Sequence, residues 1–180
     1  MALVDLWDPS LPYKYDPAQK YLVSRFIGGR SLEDDAIQWG TNSLWCHTEG
    51  LSRDENGWIG AHVGTGVQKR PLDWAHGITR ERRYAIPVSE SQYETAMAAL
   101  ESHVGEKYDV KAIIGLGLHV RWGLNDHEVI CSAVMTLWLQ SLEETYPLND
   151  LPHYDNMITP ETLHLSKIFL GRCIYDYQKA

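Results

Sequence analysis

Val129-Ile130-Cys131-Ser132-Ala133-Val134-Met135-Thr136-Leu137-Trp138-Leu139-Gln140-Ser141-Leu142 changes its pattern at a single residue. Val129-Ile130 reads as an apolar strand end, whereas Val134, Leu137, Trp138 and Leu142 recur at helical spacing and form a face that would anchor a helix in a core. Cys131 therefore falls in the first turn of that helix. There the orphan backbone N–H groups and the positive dipole end favour thiolate over thiol, and the thiolate is the nucleophile. Taken alone, a cysteine on an apolar helix is a small buried hydrophobe. A chemical role needs a base, and Trp45-Cys46-His47-Thr48-Glu49 upstream offers one.

That segment lies in a strand-like run from Leu44 to Leu51, followed by the turn-rich Arg53-Asp54-Glu55-Asn56-Gly57 and a second run from Trp58 to Arg70. On the second run, Ile59, Ala61, Val63 and Val67 share one face, while Gly60, His62, Gly64 and Gly66 share the other. Glycines leave room for another group to come close to the backbone. His47 and Glu49 share a face of the first run, with Cys46 and Thr48 opposite. A four-residue loop, Arg53 to Asn56, sets His47 directly across from His62; a one-residue slip would separate them. Without Cys131 these would be polar residues on a solvated strand face.

The surrounding chain fixes the class. Its 180 residues suit one domain, with an irregular arm over residues 1–20 and a core over 21–178. An apolar fraction of 44% and a charged fraction of 22% are ordinary for a globular protein. Seven Trp and ten Tyr against two Phe favour aromatics with a polar handle, as suits cleft walls. A net charge of −8 argues against nucleic acid or an anionic membrane as the main partner. No apolar run is long enough to span a bilayer, so no stable membrane anchor is expected. Met1 to Pro9 lacks a basic start and an apolar stretch, so no secretory signal is read there. Three cysteines, 46, 131 and 173, make no disulfide framework and suit a reducing compartment. Cytoplasmic location is the default, with export by another route left open.

Other elements follow from local signals. Tyr21–Ile27 and Arg82–Val88 read as strands, Ser31 to Gly40 as a helix, and Ile168 to Tyr177 as a closing strand. Ser89 with Gln92 is a capping box, opening a helix that Gly105 ends; a further apolar helix covers about Val110 to Leu118. Strands early and helices late predict an α+β fold with an antiparallel sheet.

Trp45-Cys-His-Thr-Glu49, Ile59-Gly-Ala61, Gly66-Val67 and Arg70-Pro-Leu-Asp-Trp74 resemble, in that order, the circularly permuted, YiiX-like branch of NlpC-type papain-like cysteine peptidases. That branch is related to lecithin-retinol acyltransferase-like proteins. Gly105-Glu-Lys-Tyr-Asp-Val-Lys-Ala-Ile-Ile-Gly115, Ile130-Cys-Ser132 and Ile158-Thr-Pro-Glu-Thr-Leu163 extend the resemblance over roughly residues 22 to 170. The permuted branch has its histidine strand before its cysteine, as here. The resemblance implies a permuted papain-like fold, a nucleophile at Cys131, a base at His47 and a supporting tyrosine at Tyr108. It also implies a thiol-dependent hydrolase cutting an amide bond, of cell-wall-peptide type, or else an acyltransferase or thioesterase acting on lipid or protein-conjugate carbonyls. The branch often carries a carboxylate on the second strand, where Gly60 and His62 are the nearest positions here, and another after the cysteine, where Ala133 stands. The third catalytic residue is thus His62, with Glu49 in reserve, or is missing, which leaves catalytic competence open.

The chemistry needs a thiolate, an imidazole to hold and return a proton, a group fixing that imidazole, and donors for the oxyanion, here the helix N-terminus with Tyr108. Two other readings compete. His47, His62, Cys46 and Cys131 have ligand chemistry suited to Zn²⁺, but Cys46 and His47 point to opposite faces and no compact ligand spacing occurs, so neither metal nor cofactor is expected. The other is a binding protein that keeps the fold without turnover. His76, His103, His119, His127, His153 and His164 read as solvated, Asp73-Trp74 and Trp122 as core or lid packing first and groove walls second, and Glu143 and Glu144 as exposed.

Overall fold

β1 (Lys20–Gly28) is buried on both faces, which places it at the centre of a sheet. It pairs with β2 (His47–Leu51) on one side and β5 (Arg80–Val88) on the other. β3 (Gly57–His62) and β4 (Gly66–Pro71) continue beyond β2, and β8 (Cys173–Gln178) beyond β5. The six strands run β4-β3-β2-β1-β5-β8, every pair antiparallel. β6 (Lys107–Tyr108) and β7 (Glu128–Val129) form a small parallel pair. The helices are α1 (Leu32–Thr41), α2 (Glu90–Ser102), α3 (Val110–Gly117), α4 (Cys131–Gln140) and α5 (Pro160–His164). The structure is a computed structural model describing residues 2–29, 32–117, 128–142 and 158–179. It is a mixed α+β arrangement built on an antiparallel sheet, and among the described residues no helix is long and apolar enough to cross a membrane.

The register divides the sheet into two chemically distinct faces. Leu22 and Phe26 of β1, Gly50 of β2 and Ile59 of β3 look toward α2 and α4, where Met97, Leu100, Val134 and Trp138 complete the main core. Gly50 has no side chain because Leu100 and the Trp138 ring press on the strand there, at 2.8 and 3.1 Å from where a Cβ would sit. The opposite face carries Tyr21, Val23, Trp58 and Ala85, covered by Leu6 and Trp7 of the N-terminal arm. The arm is irregular apart from a 3₁₀ turn at Leu3–Leu6.

α2 opens on the expected capping box: Ser89 Oγ accepts from Gln92 N–H at 3.3 Å, and Gln92 Oε1 accepts from Ser89 N–H at 2.9 Å. α4 opens at Cys131; of the apolar positions its spacing picks out, Val134 and Trp138 are buried, Leu137 is half-buried, and Leu142 is buried just past the helix end at Gln140. Several boundaries differ from the sequence reading: α2 stops at Ser102 ahead of Gly105, β5 starts at Arg80 rather than Arg82, and three further differences have a clear local cause or size. The run Trp58 to Arg70 is two strands, because the chain reverses between His62 and Gly66, leaving Val63 exposed rather than on the core face. Apolar alternation continues across that turn and hides it; the left-handed Gly64 and Gly66, φ 78° and 75°, make it. The closing strand begins at Cys173, not Ile168, since Lys167–Phe169 is a 3₁₀ turn and Gly171 reverses the chain at φ 72°. β2 begins at His47, three residues later than Leu44.

Gly66 also joins the hairpin to β6. Val67 N–H donates to Glu106 carbonyl at 2.8 Å, and a Cβ on Gly66 would collide with that same carbonyl. Gly66→Ala is therefore expected to lower stability by about 2 kcal/mol or more in urea unfolding, from backbone strain plus the clash.

Candidate functional site

The arm-facing side of the sheet ends in charge. The strand register pairs Arg25 with Glu49 and Ile27 with His47, while Gly50↔Ile59 and Leu51↔Trp58 set β3 against β2. Carried along the strands, that register puts Gly60 beside Glu49 and His62 beside His47, as the four-residue loop predicts. Gly60 is the gap into which they lean: a Cβ there would lie 2.8 Å from Glu49 Cγ and 3.3 Å from His47 Nε2.

Glu49 is the hub. Its Oε2 accepts from Arg25 Nε at 2.6 Å and from Trp74 Nε1 at 3.3 Å, with Arg25 Nη2 also 2.6 Å away. Its Oε1 lies 3.2 Å from His47 Nε2 and 3.3 Å from His62 Nε2. Those separations are within ion-pair reach, yet the three atoms lie off the line of a hydrogen bond and are buried without a hydrogen-bond partner. Arg25 is completed by Glu81, 3.8 Å from Nη1, and by the face of Trp58, 4.5 Å from its guanidinium carbon. Trp74, arriving from the loop after β4, sets its ring edge-on to both imidazoles, with centroids 5.9 Å from His47 and 4.7 Å from His62. Trp74 thus does both things its sequence context allows: it packs against the arm-side core and lines the cleft.

This arrangement drives the charges apart. Burial opposes an ionised Glu49, but Arg25 and then His47 overcome it and hold the carboxyl well below its usual range. Burial also opposes a charged His47; the Glu49 carboxylate and hydrogen bonding to Cys131 outweigh it and raise the imidazole. For His62 burial dominates, and despite Glu49 the imidazole is pushed down to about 4. Burial likewise lowers Arg25, against the pull of Glu49 and Glu81.

Cys131, first residue of α4, is only 2% exposed and packs in the main core. α4 packs on the face of the sheet opposite His47, yet the Cys131 thiol at its start is near enough to help raise the His47 imidazole. Tyr108 is brought near by the small parallel sheet, whose register sets it opposite Val129, two residues before Cys131. A cleft of about 260 Å³ runs along the imidazoles, lined by His47, His62, Arg70, Trp74, His76 and Tyr108; Cys131 is not among its lining residues. Cys46 also borders this cleft, with its thiol turned back to donate to the Ile27 carbonyl at 3.2 Å and its pKa raised chiefly by burial.

His47, Glu49 and His62 are brought together, Cys131 and Tyr108 join at one edge, and Cys46 stays outside the cluster. Arg25 was missed by the sequence reading; a single charge inside the apolar run Tyr21–Ile27 was the available signal for it. His164 is a correction: it packs between Phe26 and Trp45 and bonds Tyr84 Oη at 2.7 Å, so it is no solvated histidine. His103 pairs with Glu106 at 3.0 Å. His119, His127, His153, Trp122, Glu143 and Glu144 lie outside the described residues.

No protein-family model matches the chain, and no curated protein matches it. The chain is similar to the crystal structure of the metalloprotein yiiX from Escherichia coli O157:H7, with a TM-score of 0.49 and 17% identity, covering 89% of this chain and 97% of that one.

Removing one member of the Arg25–Glu49 pair strands the other charge in the interior. Arg25→Leu is expected to cost about 3–5 kcal/mol in chemical denaturation, and the double variant Arg25→Leu/Glu49→Leu to recover most of that loss.

Proposed function

We propose that the protein is a thiol hydrolase of permuted papain-like type, cleaving an amide bond through an acyl-enzyme on Cys131. The observation that supports this most is the position of His47, 3.2 Å from a Glu49 carboxylate that Arg25 clamps from the far side, with the Cys131 thiol among the groups that raise its imidazole. With Nε2 turned to Glu49, Nδ1 is the nitrogen left for sulfur. The order of parts along the chain, histidine strand before cysteine helix, matches the permuted arrangement.

In this reading the Cys131 thiolate attacks the carbonyl carbon, forming a C–S bond while the carbonyl π pair moves to oxygen. Backbone N–H groups of the first turn of α4, with Tyr108, receive that oxyanion. Collapse of the adduct breaks the C–N bond, and the His47 imidazolium gives its proton to the leaving amine. Water, deprotonated by His47, then opens the thioester, releasing the acid and restoring the thiol. Glu49 fixes the His47 ring and stabilises its cation, the role of the third member of a triad. His62, pushed toward its neutral form, is poorly suited to that role and serves instead to wall the cleft. A peptide is the substrate class the resemblance favours; acyl transfer from lipid or conjugate carbonyls uses the same steps with a different acceptor.

The reading is tested by alkylation with iodoacetamide at pH 7 in the presence of a chelator, followed by peptide mass mapping. Cys131 is expected to react faster than Cys46 and Cys173, and His47→Ala to slow it by about a hundredfold. A Cys131 that stays inert, or reacts equally with and without His47, contradicts the proposal.

A further inference from the structure

We infer that His47, Glu49 and His62 form a binding site for a divalent transition-metal ion, with Zn²⁺ the ion their geometry fits. The candidate ligand atoms, His47 Nε2, Glu49 Oε1 and His62 Nε2, all lie within 4.8 Å of one another. Each is buried and without a hydrogen-bond partner, although the Glu49 and His62 side chains are only 0% and 6% exposed. They lie within ion-pair reach of one another but without hydrogen-bond alignment, and buried polar atoms so imperfectly satisfied around one point call for an explanation that a bound ion supplies.

The spacing favours a cation over direct pairing. A charge-assisted N–H···O⁻ bond closes to about 2.7–2.9 Å, whereas Glu49 Oε1 stands 3.2 and 3.3 Å from the two imidazole nitrogens. Bonds of about 2.0–2.1 Å to a tetrahedral Zn²⁺ hold neighbouring ligand atoms roughly 3.3–3.4 Å apart. Two imidazoles and one carboxylate are a familiar Zn²⁺ ligand set, leaving a fourth position for water or a small ligand, here on the side of the cleft that His47, His62 and Trp74 line.

The surroundings are built as an outer shell would be. Arg25 and Trp74 occupy Glu49 Oε2, which fixes the carboxylate and leaves Oε1 for an ion. Glu81 lies 3.8 Å from Arg25, offsetting the positive charge that would otherwise oppose a cation. Gly60 keeps the space between His47 and Glu49 clear. Cys131 has no part in this set. The inference does not rest on the thiol chemistry, although the two share His47: an ion on Nε2 takes the nitrogen that Glu49 otherwise holds.

The test uses the full chain, stripped with chelator, dialysed and titrated with Zn²⁺ by isothermal titration calorimetry. One ion per chain is expected, with a Zn K-edge X-ray absorption spectrum showing nitrogen and oxygen neighbours at about 2.0–2.1 Å and no sulfur at about 2.3 Å. Glu49→Gln and His62→Ala are each expected to weaken binding at least about tenfold. His62→Ala leaves the Arg25–Glu49 pair whole, so it remains informative if Glu49→Gln does not fold, as circular dichroism would report. Cys131→Ala should bind as the wild type does, and because it lacks the thiol, binding there stands or falls apart from the hydrolase reading. Sub-stoichiometric uptake by the wild type, unchanged affinity in His62→Ala, a Zn–S signal, or lost binding in Cys131→Ala would each overturn the inference.

Discussion

Arg25 and Glu49 meet at 2.6 Å in the centre of a sheet where both side chains are almost wholly removed from water. Two ions in that position are tolerable only if each is closely matched, because the desolvation of either alone amounts to several kcal/mol. Glu49, Glu81 and the Trp58 face surround Arg25, and Arg25 with Trp74 holds Glu49. The pairing also locks strand register. Arg25 sits opposite Glu49 on one neighbour and Arg83 on the other, and a slip of one residue would drive the guanidinium into the apolar layer beneath α2 and α4. A buried ion pair of this kind contributes specificity of arrangement more than net stability.

From that fixed carboxylate the chemistry of the site follows. One Glu49 faces two imidazoles at nearly equal distance, 3.2 and 3.3 Å, yet their affinities for protons diverge. His47 gains from the carboxylate and the Cys131 thiol, while His62 has burial and a charged neighbour against it. A single negative charge stabilises one imidazolium well and a second poorly, so the pair splits into a cation-bearing and a neutral member. Such a split gives distinct roles to residues of the same type, one suited to carry a proton and the other to offer a lone pair. The Trp74 ring stands edge-on to both imidazoles.

Much of this geometry was legible in the chain before any coordinates. The loop Arg53–Asn56 fixed the His47–His62 register, the Ser89/Gln92 box marked the start of α2, and the change of period at Cys131 marked the start of α4. These are local signals whose meaning depends on a few adjacent residues. The reversal at Val63–Thr65 was hidden because apolar alternation runs straight across it. Arg25, and the bond that Trp74 makes to Glu49, were hidden for another reason: they depend on residues 24 and 25 positions apart in sequence, and only the sheet and the loop after β4 bring them together. The metal reading failed on paper because it recruited Cys46, which faces away; the converging atoms come from two histidines and a glutamate instead. The burial of His164 against Phe26 and Trp45 was equally unreadable, being set by how α5 docks on the sheet.

The measurement that bears most directly on this account is ¹⁵N NMR of the histidine rings at pH 7 in metal-free protein, with Glu49→Gln as the comparison. The account predicts His47 as an imidazolium with both nitrogens protonated and His62 as a neutral ring, the His47 signal reverting to neutral when Glu49 loses its charge. Two neutral rings in the wild type, a charged His62 beside a neutral His47, or a His47 signal indifferent to Glu49 would contradict it.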